Sequence, residues 1–211
     1  MTDLQKIDLF KQYKADYIAP KKPVLLEPTS ANYLSIEGMG EPGGEAFSNK
    51  AAALYAMAYT VKMTRKSQGL QDYVVCKLEA IWTHDQDPMG FHKQPKEEWR
   101  WQLLIRIPDF INAEALHKAS EALISKGKPE EVKNVGIETL FEGTCVQMLH
   151  VGPYEEEQGT VEMMAAHAGD HDLILQPGHH EIYLSDPRRV KPDRLKTILR
   201  CPVSHKDELH T

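Results

Sequence analysis

Two stretches of this 211-residue sequence run through the same order of hydrophobic periodicities. Each has an alternating segment, then a run with apolar residues three and four apart, then two more alternating segments. The first covers Tyr33 to Ile107. Tyr33–Gly38 reads as a strand, Glu45 to about Arg65 as a helix, and Asp72–Thr83 and Trp99–Ile107 as strands. Phe47, Ala51, Leu54, Tyr55 and Ala58 form the helix's apolar stripe, Gly69 stops it, and Pro108 ends the last strand. The second covers Thr144 to Val203. Thr144–Val151 is a strand, and Gly152-Pro153-Tyr154-Glu155-Glu156-Glu157 opens a helix whose buried stripe is Val161, Met164, Ala165 and Ala168. Three acids at that opening suit the positive end of the helix dipole. Gly169 ends the helix, and His179–Asp186 and Leu195–Val203 follow as strands. The halves share no residue-level repeat, only this order. It predicts an α+β fold: a duplicated β-α-β-β module forming an antiparallel sheet, with helices on one face and a ligand cleft between the halves.

The remaining segments connect these units. Asn112 is an N-cap for a helix carrying Leu116, Ala119 and Leu123, and Gly127 closes it. Pro129–Asn134 is a charged connector and the seam between the halves. Ile137–Phe141, a turn at Glu142-Gly143 and Thr144–Val151 read as a hairpin. Residues 1–30 are Lys-rich and broken by Pro20, Pro23 and Pro28, so they read as an arm. The organisation expected is an N-terminal arm (1–30) and one domain (31–205) of two pseudo-repeats, about 31–128 and 135–205. Gly38–Gly44 is glycine-rich and precedes a helix, but it lacks the Gly-Lys-Ser/Thr ending of a phosphate loop, so it is a flexible crossover. Asp85, Asp87, Pro88, Gly90 and Pro95 mark a polar loop.

Charge and cysteine usage narrow the function. A net charge of −6 and a pI near 5.9 argue against nonspecific nucleic-acid binding. No apolar run approaches the roughly 20 residues of a membrane span, and the first residues lack the apolar core of a signal peptide. Cys76, Cys145 and Cys201 are isolated and odd in number, as expected of reduced thiols in a cytoplasmic protein. Lys206-Asp207-Glu208-Leu209 is followed by two more residues, so it is no retention signal.

The candidate chemistry centres on His179–Pro187. Alternation puts His180, Ile182 and Leu184 on one face of this strand and His179, Glu181 and Tyr183 on the other. A carboxylate beside a tyrosine lines a pocket for polar chemistry or for a cation, and a carboxylate in an apolar cleft is suited to proton transfer. Tyr33, Trp82, Trp101, Tyr154 and Tyr183 are candidate aromatic walls, able to sandwich a planar ligand or cage a cation. Trp99 and Trp101 share a strand face, which favours one of them at a cleft rim. Glu79 precedes Trp82 by three residues and falls on the opposite face, so both line one cleft only if a bulge intervenes. His167, His171, His179 and His180 with Asp170 and Asp172 do not predict a metal site. Gly169 breaks the helix between the first two histidines, and His179 and His180 point to opposite faces. No Gly-x-Ser-x-Gly nucleophile elbow is present.

Val151-Gly152-Pro153-Tyr154-Glu155, then His180-Glu181-Ile182-Tyr183-Leu184-Ser185-Asp186-Pro187, and the closing Ile198–Val203 strand resemble the GyrI-like small-molecule-binding domain. That domain occurs in multidrug-sensing transcription regulators, in gyrase-inhibitory proteins and as free-standing proteins. Lys77-Leu78-Glu79-Ala80-Ile81-Trp82 and Trp99–Phe110 resemble the free-standing branch, which includes cyclopropanoid cyclopropyl hydrolases. The resemblance runs from about Pro28 to the end. It implies a duplicated module and a central cleft with an acid, matching Glu181, among aromatic rings. Because residues 1–30 are short and proline-broken, no winged-helix or helix-turn-helix segment is expected, and charge and hydropathy predict no nucleic-acid or membrane partner. The expected ligand is small, hydrophobic, and planar or cationic, with no cofactor and no metal. The activity implied is hydrolysis of an electrophilic planar molecule, with Glu181 activating water and Tyr154 or Tyr183 stabilising charge, and with Tyr33, Glu79, Trp82 and Trp101 in the binding walls. The alternatives are a non-catalytic drug-binding or effector-sensing module and a gyrase-inhibitor-type protein interaction. Oligomeric state is not legible.

Overall fold

In chain order the elements are α1 (Leu9–Gln12), β1 (Val24–Leu26), β2 (Ala31–Met39), α2 (Glu45–Ser67), β3 (Glu79–Thr83), β4 (Arg100–Ile107), α3 (Ala113–Ser125), β5 (Gly136–Leu140), β6 (Cys145–Val151), α4 (Glu157–Gly169), β7 (Leu173–Leu175), β8 (His179–Tyr183) and β9 (Lys196–His205). The structure, a computed structural model, describes residues 5–85 and 90–206, and the side chain of Phe91 is left aside. Asp87 and Pro88 of the polar loop and Asp207–Leu209 lie outside the described residues.

The strands form one antiparallel sheet in the order β1-β6-β9-β8-β3-β4-β2-β5, with β7 laid against the far end of β9. Each half supplies three adjacent strands, β2-β4-β3 and β6-β9-β8, and the halves join through β3 and β8. This is the duplicated β-α-β-β order, closed into a single sheet. A registered row across the middle, Met148, Leu199, Glu181, Ala80, Leu103 and Ile36, marks the helix-bearing face. Leu54, Met57 and Val61 of α2 and Leu116, Ala119 and Leu123 of α3 pack there on Leu34, Ile36, Leu103 and Ile105. Met164 of α4 packs there on Val146, Met148, Leu199 and Cys201. The capping signals hold locally: Asn112 Oδ1 accepts from the Ala115 amide at 3.0 Å, and Gly127, at φ +74°, follows the helix.

The predicted hairpin does not form. β5 pairs with β2, from Ala31 opposite Leu140 to Ser35 opposite Gly136, whereas β6 lies between β1 and β9. The turn residue Glu142 is drawn inward instead: it accepts from Arg200 Nη1 at 2.6 Å and pairs with His180 Nδ1 at 2.9 Å. Only four residues join Leu140 to Cys145, and four join Leu26 to Ala31, yet each link joins an edge strand to the strand next to the opposite edge. Five Cα steps reach at most about 19 Å. In a flat sheet strands six places apart would stand about 29 Å apart. The sheet therefore curls, and its two edges approach each other.

The segment read as an arm packs on the face away from the helices. The Asp16 carboxylate accepts from Arg106 Nη1 at 2.8 Å and from the Thr29 amide and hydroxyl at 3.2 and 3.1 Å. Its backbone carbonyl accepts from Arg200 Nη2 at 2.6 Å and Gln147 Nε2 at 3.2 Å. Tyr13 lies under the Arg106 guanidinium at 4.1 Å, and Tyr17 stacks on Phe10 at 4.5 Å. Beneath this plug runs a buried charge chain, Glu79–His180–Glu142–Arg200, with Glu79 Oε2 3.0 Å from His180 Nε2. Burial opposes charging of His180, but Glu142 and Glu79 outweigh it and raise the imidazole to about 9. Burial would raise Glu142, but His180 and Arg200 outweigh it and hold the carboxyl at about 2.

Gly38 is directly opposite Trp101, and a Cβ built on it would lie 2.1 Å from the indole. Trp101 is 2 % exposed and wedged edge-on against Phe47 at 5.2 Å, so it has nowhere to move. Gly38→Ala is expected to cost about 1–3 kcal/mol by overpacking. Thermal unfolding should show this as a fall of roughly 2–12 °C; an unchanged midpoint would show that the indole repacks freely.

Candidate functional site

α2 lies over β2 and β4, and α4 lies over β6 and β7, so the central strands β3 and β8 run between the two helices. The helix-side residues of these strands are Ala80 and Trp82 on β3, and His179, Glu181 and Tyr183 on β8. They make a floor contributed by both halves. Trp82 stacks in parallel on Phe47 of α2 at 5.7 Å and meets Trp99 edge-on at 5.8 Å. Its indole N–H donates to the Tyr183 hydroxyl at 3.3 Å. Tyr183 in turn meets Tyr154, just before α4, edge-on at 5.9 Å. Burial and the neighbouring Glu181 push the Tyr183 phenol well above its usual range. Burial, Glu181 and Glu157 push Tyr154 up to about 12. Both hydroxyls keep their protons at neutral pH and remain hydrogen-bond donors.

At the other end of this floor three ionisable side chains meet. Nε2 of His179 is 3.4 Å from Glu181 Oε1 and 3.8 Å from Glu157 Oε2. Glu181 and Glu157 are each 8 % exposed. Burial and the charge of Glu181 push Glu157 upward, against the pull of His179. Burial opposes charging of His179, and Cys201, Glu157 and Glu181 together outweigh it. Cys201 Sγ lies 3.7 Å from His179 Nδ1, behind the ring. The site therefore pairs a wall of flat rings with an acid end that can hold or move a proton.

Of the residues singled out from sequence, Glu181, Tyr183, Tyr154 and Trp82 come together here. Trp101 shares the face but lies one strand further out. Its N–H donates to the Gly40 carbonyl at 3.1 Å, and it borders the cluster, registered opposite Trp82 and edge-on to Phe47. The half-buried Trp99 also borders the floor, edge-on to Trp82. Tyr33 and Glu79 are not in the cluster, because they occupy the opposite face. Tyr33 is registered with Arg106, and Glu79 is enclosed by His180 and Tyr17, whose hydroxyl donates to Glu79 Oε1 at 3.4 Å. Pairing of β3 with β4 is unbroken from Glu79 to Thr83, so no bulge turns Glu79 toward Trp82.

Sequence reasoning named Glu157, Phe47 and His179 but gave none of them a part in the site. Glu157 reads as one of three dipole-directed acids, yet it stands four residues before Val161 and seven before Met164, on the apolar stripe of α4. A carboxylate on a buried stripe was the available signal. Among the described residues, His179 joins Glu157 and Glu181, while His167 and His171 form a separate ring pair at the far end of α4, 4.6 Å apart.

A duplicated, curled sheet whose central strands carry rings and an acid between two helices defines a small-molecule-binding domain. The chain belongs to the GyrI-like family: the GyrI-like small molecule binding domain matches residues 32–204. It is similar to a hydrolase from Listeria innocua at 37% identity and a TM-score of 0.84, covering 94% of this chain and 100% of that one. Another Listeria innocua hydrolase structure matches at 36% identity and 0.86, covering 95% and 100%. The C-terminal domain of EcmrR shares the fold at 13% identity and 0.56, covering 87% and 98%. No curated protein matches the chain. Among the described residues, no helix is long and apolar enough to cross a membrane.

Proposed function

We propose that this protein hydrolyses electrophilic planar small molecules, with cyclopropane-bearing DNA alkylators as the substrate class. The observation that carries the reading is Glu181, a buried carboxylate on the floor beside Trp82, Tyr183 and Tyr154. The hydrolases from Listeria innocua, alike over nearly the whole chain, support a hydrolytic reaction. The flat ligand stacks against the Phe47–Trp82 pair. Glu181 takes a proton from water as the water oxygen bonds to the ring methylene. The cyclopropane C–C bond breaks, and its electron pair passes through the conjugated system to the carbonyl oxygen. Tyr154 donates a hydrogen bond and then a proton to that oxygen, and the proton on Glu181 returns to Tyr154 through water. The net change is addition of one water. Tyr183, tied to the Trp82 N–H, holds the Tyr154 ring edge-on. Orientation of water against a strained ring supplies much of the acceleration.

The test is incubation of the purified protein with a cyclopropanoid alkylator, followed by mass spectrometry. Catalytic formation of the water adduct is expected. Stoichiometric retention of unreacted ligand would overturn the enzymatic reading in favour of a binding module that sequesters planar or cationic drugs, with Glu181 as counter-charge.

A further inference from the structure

We infer that Glu157, His179 and Glu181 form a binding site for one divalent transition-metal ion of the zinc class. Each residue offers one ligand atom, and these atoms lie within 4.8 Å of one another. Metal–ligand bonds of about 2.0–2.2 Å in tetrahedral geometry place ligand atoms about 3.3–3.6 Å apart. The observed separations from Nε2, 3.4 and 3.8 Å, match that spacing to within a few tenths of an ångström.

Three further features point to an ion. Glu157 is 8 % exposed, and its Oε1 is buried with no hydrogen-bond partner. A buried, unpartnered carboxylate oxygen is costly unless something cationic or hydrogen-bonding completes it. The imidazole is held from behind by Cys201, with Sγ 3.7 Å from Nδ1, which leaves Nε2 to face the carboxylates. An outer partner on the non-ligating nitrogen is the usual support of a metal-bound histidine. Finally, two carboxylates, a neutral imidazole and a divalent ion sum to zero charge, the balance a buried site needs. One nitrogen and two oxygens suit zinc, cobalt or manganese better than calcium, which takes 6–8 oxygens. The set was hidden in the sequence because Glu157 lies 22 positions before His179 and on a different element.

The experiment is titration of the chelator-treated full-length protein with zinc chloride by calorimetry, and with cobalt(II) by visible absorption. One equivalent should bind. Cobalt should show d–d bands without a thiolate charge-transfer band, since Cys201 stands behind the histidine. Glu157→Gln and Glu181→Gln should each weaken binding by at least ~10-fold. His167→Gln, in the separate ring pair, should leave it unchanged. Absence of stoichiometric binding would overturn the site. So would binding that survives both glutamine variants or that is lost in His167→Gln. Circular dichroism checks that each variant is folded, and two independent ligand variants guard against one that is not. Because the readout is metal binding itself, the result is separate from whether the site hydrolyses anything.

Discussion

Glu181→Gln is expected to lower hydrolytic turnover by about 10²–10⁴-fold while leaving the ligand's dissociation constant within a few-fold of the parent. The amide keeps the size of the carboxylate and its place beside His179, but it cannot take a proton from water. The ring wall of Phe47, Trp82 and Tyr183 is untouched, so stacking of a planar ligand survives. Single-turnover kinetics and fluorescence quenching of the tryptophans separate the two effects. Turnover that persists in the glutamine variant would remove Glu181 from the chemistry and leave it as a counter-charge. Loss of both binding and turnover would mean that the carboxylate holds the ligand in place.

The second large effect lies on the opposite face. His180→Phe should destabilise the fold by about 3–5 kcal/mol, because Glu79 and Glu142 lose the cation between them and remain buried. The pH dependence has a definite sign. His180 is raised from its ordinary 6.5 to about 9 in the folded protein. Its stabilising contribution is therefore complete below about pH 6.5 and is lost as pH rises through 9. Glu142 is lowered from 4.5 to about 2, so its contribution is present above about pH 4.5 and is lost as pH falls through 2. Urea unfolding of the parent should therefore weaken between about pH 6.5 and 9. In His180→Phe that alkaline decline should be shallower, the remainder coming from His179 and Glu157, which also hold their protons above their ordinary range. An equal alkaline slope in both proteins would show that His180 is not the titrating group.

How much of this was readable beforehand depends on what kind of signal each residue carried. Strand alternation placed Glu181 and Tyr183 opposite His180, and the structure keeps that division. The repeated order of periodicities led to the duplicated sheet, because period two and period 3.6 cannot be satisfied by the same backbone. Pairing partners were another matter. β5 and β6 are adjacent in sequence and separated by a turn, yet β5 completes the edge of β2. Local turn chemistry lost to Glu142, whose carboxylate is stabilised more by buried cations than by solvent. Residues 1–30 looked like an arm because they are Lys-rich and broken by Pro20, Pro23 and Pro28, which hid the role of Phe10, Tyr13 and Tyr17. They fit a curled surface rather than a flat face, with Phe10 and Tyr17 stacked on each other and Tyr13 beneath Arg106. Glu157 was overlooked for a related reason: an acid at a helix start has a sufficient local explanation, and only tertiary packing turns it inward.

The Asp16 plug also bears on how the chain reaches this fold. Asp16 contacts Arg106, Gln147 and Arg200, at sequence separations of 90, 131 and 184 residues. The first segment of the chain thus has its buried partners in both halves, and the last of them belongs to the final strand. Loop closure over such distances must precede the reward of those contacts, which places the fold among slow, high-contact-order topologies. During synthesis Phe10, Tyr13 and Tyr17 emerge well before β9 and have no complete surface to cover until it is made. For that interval they are exposed aromatic surface on a nascent chain, the kind of segment that chaperones shield.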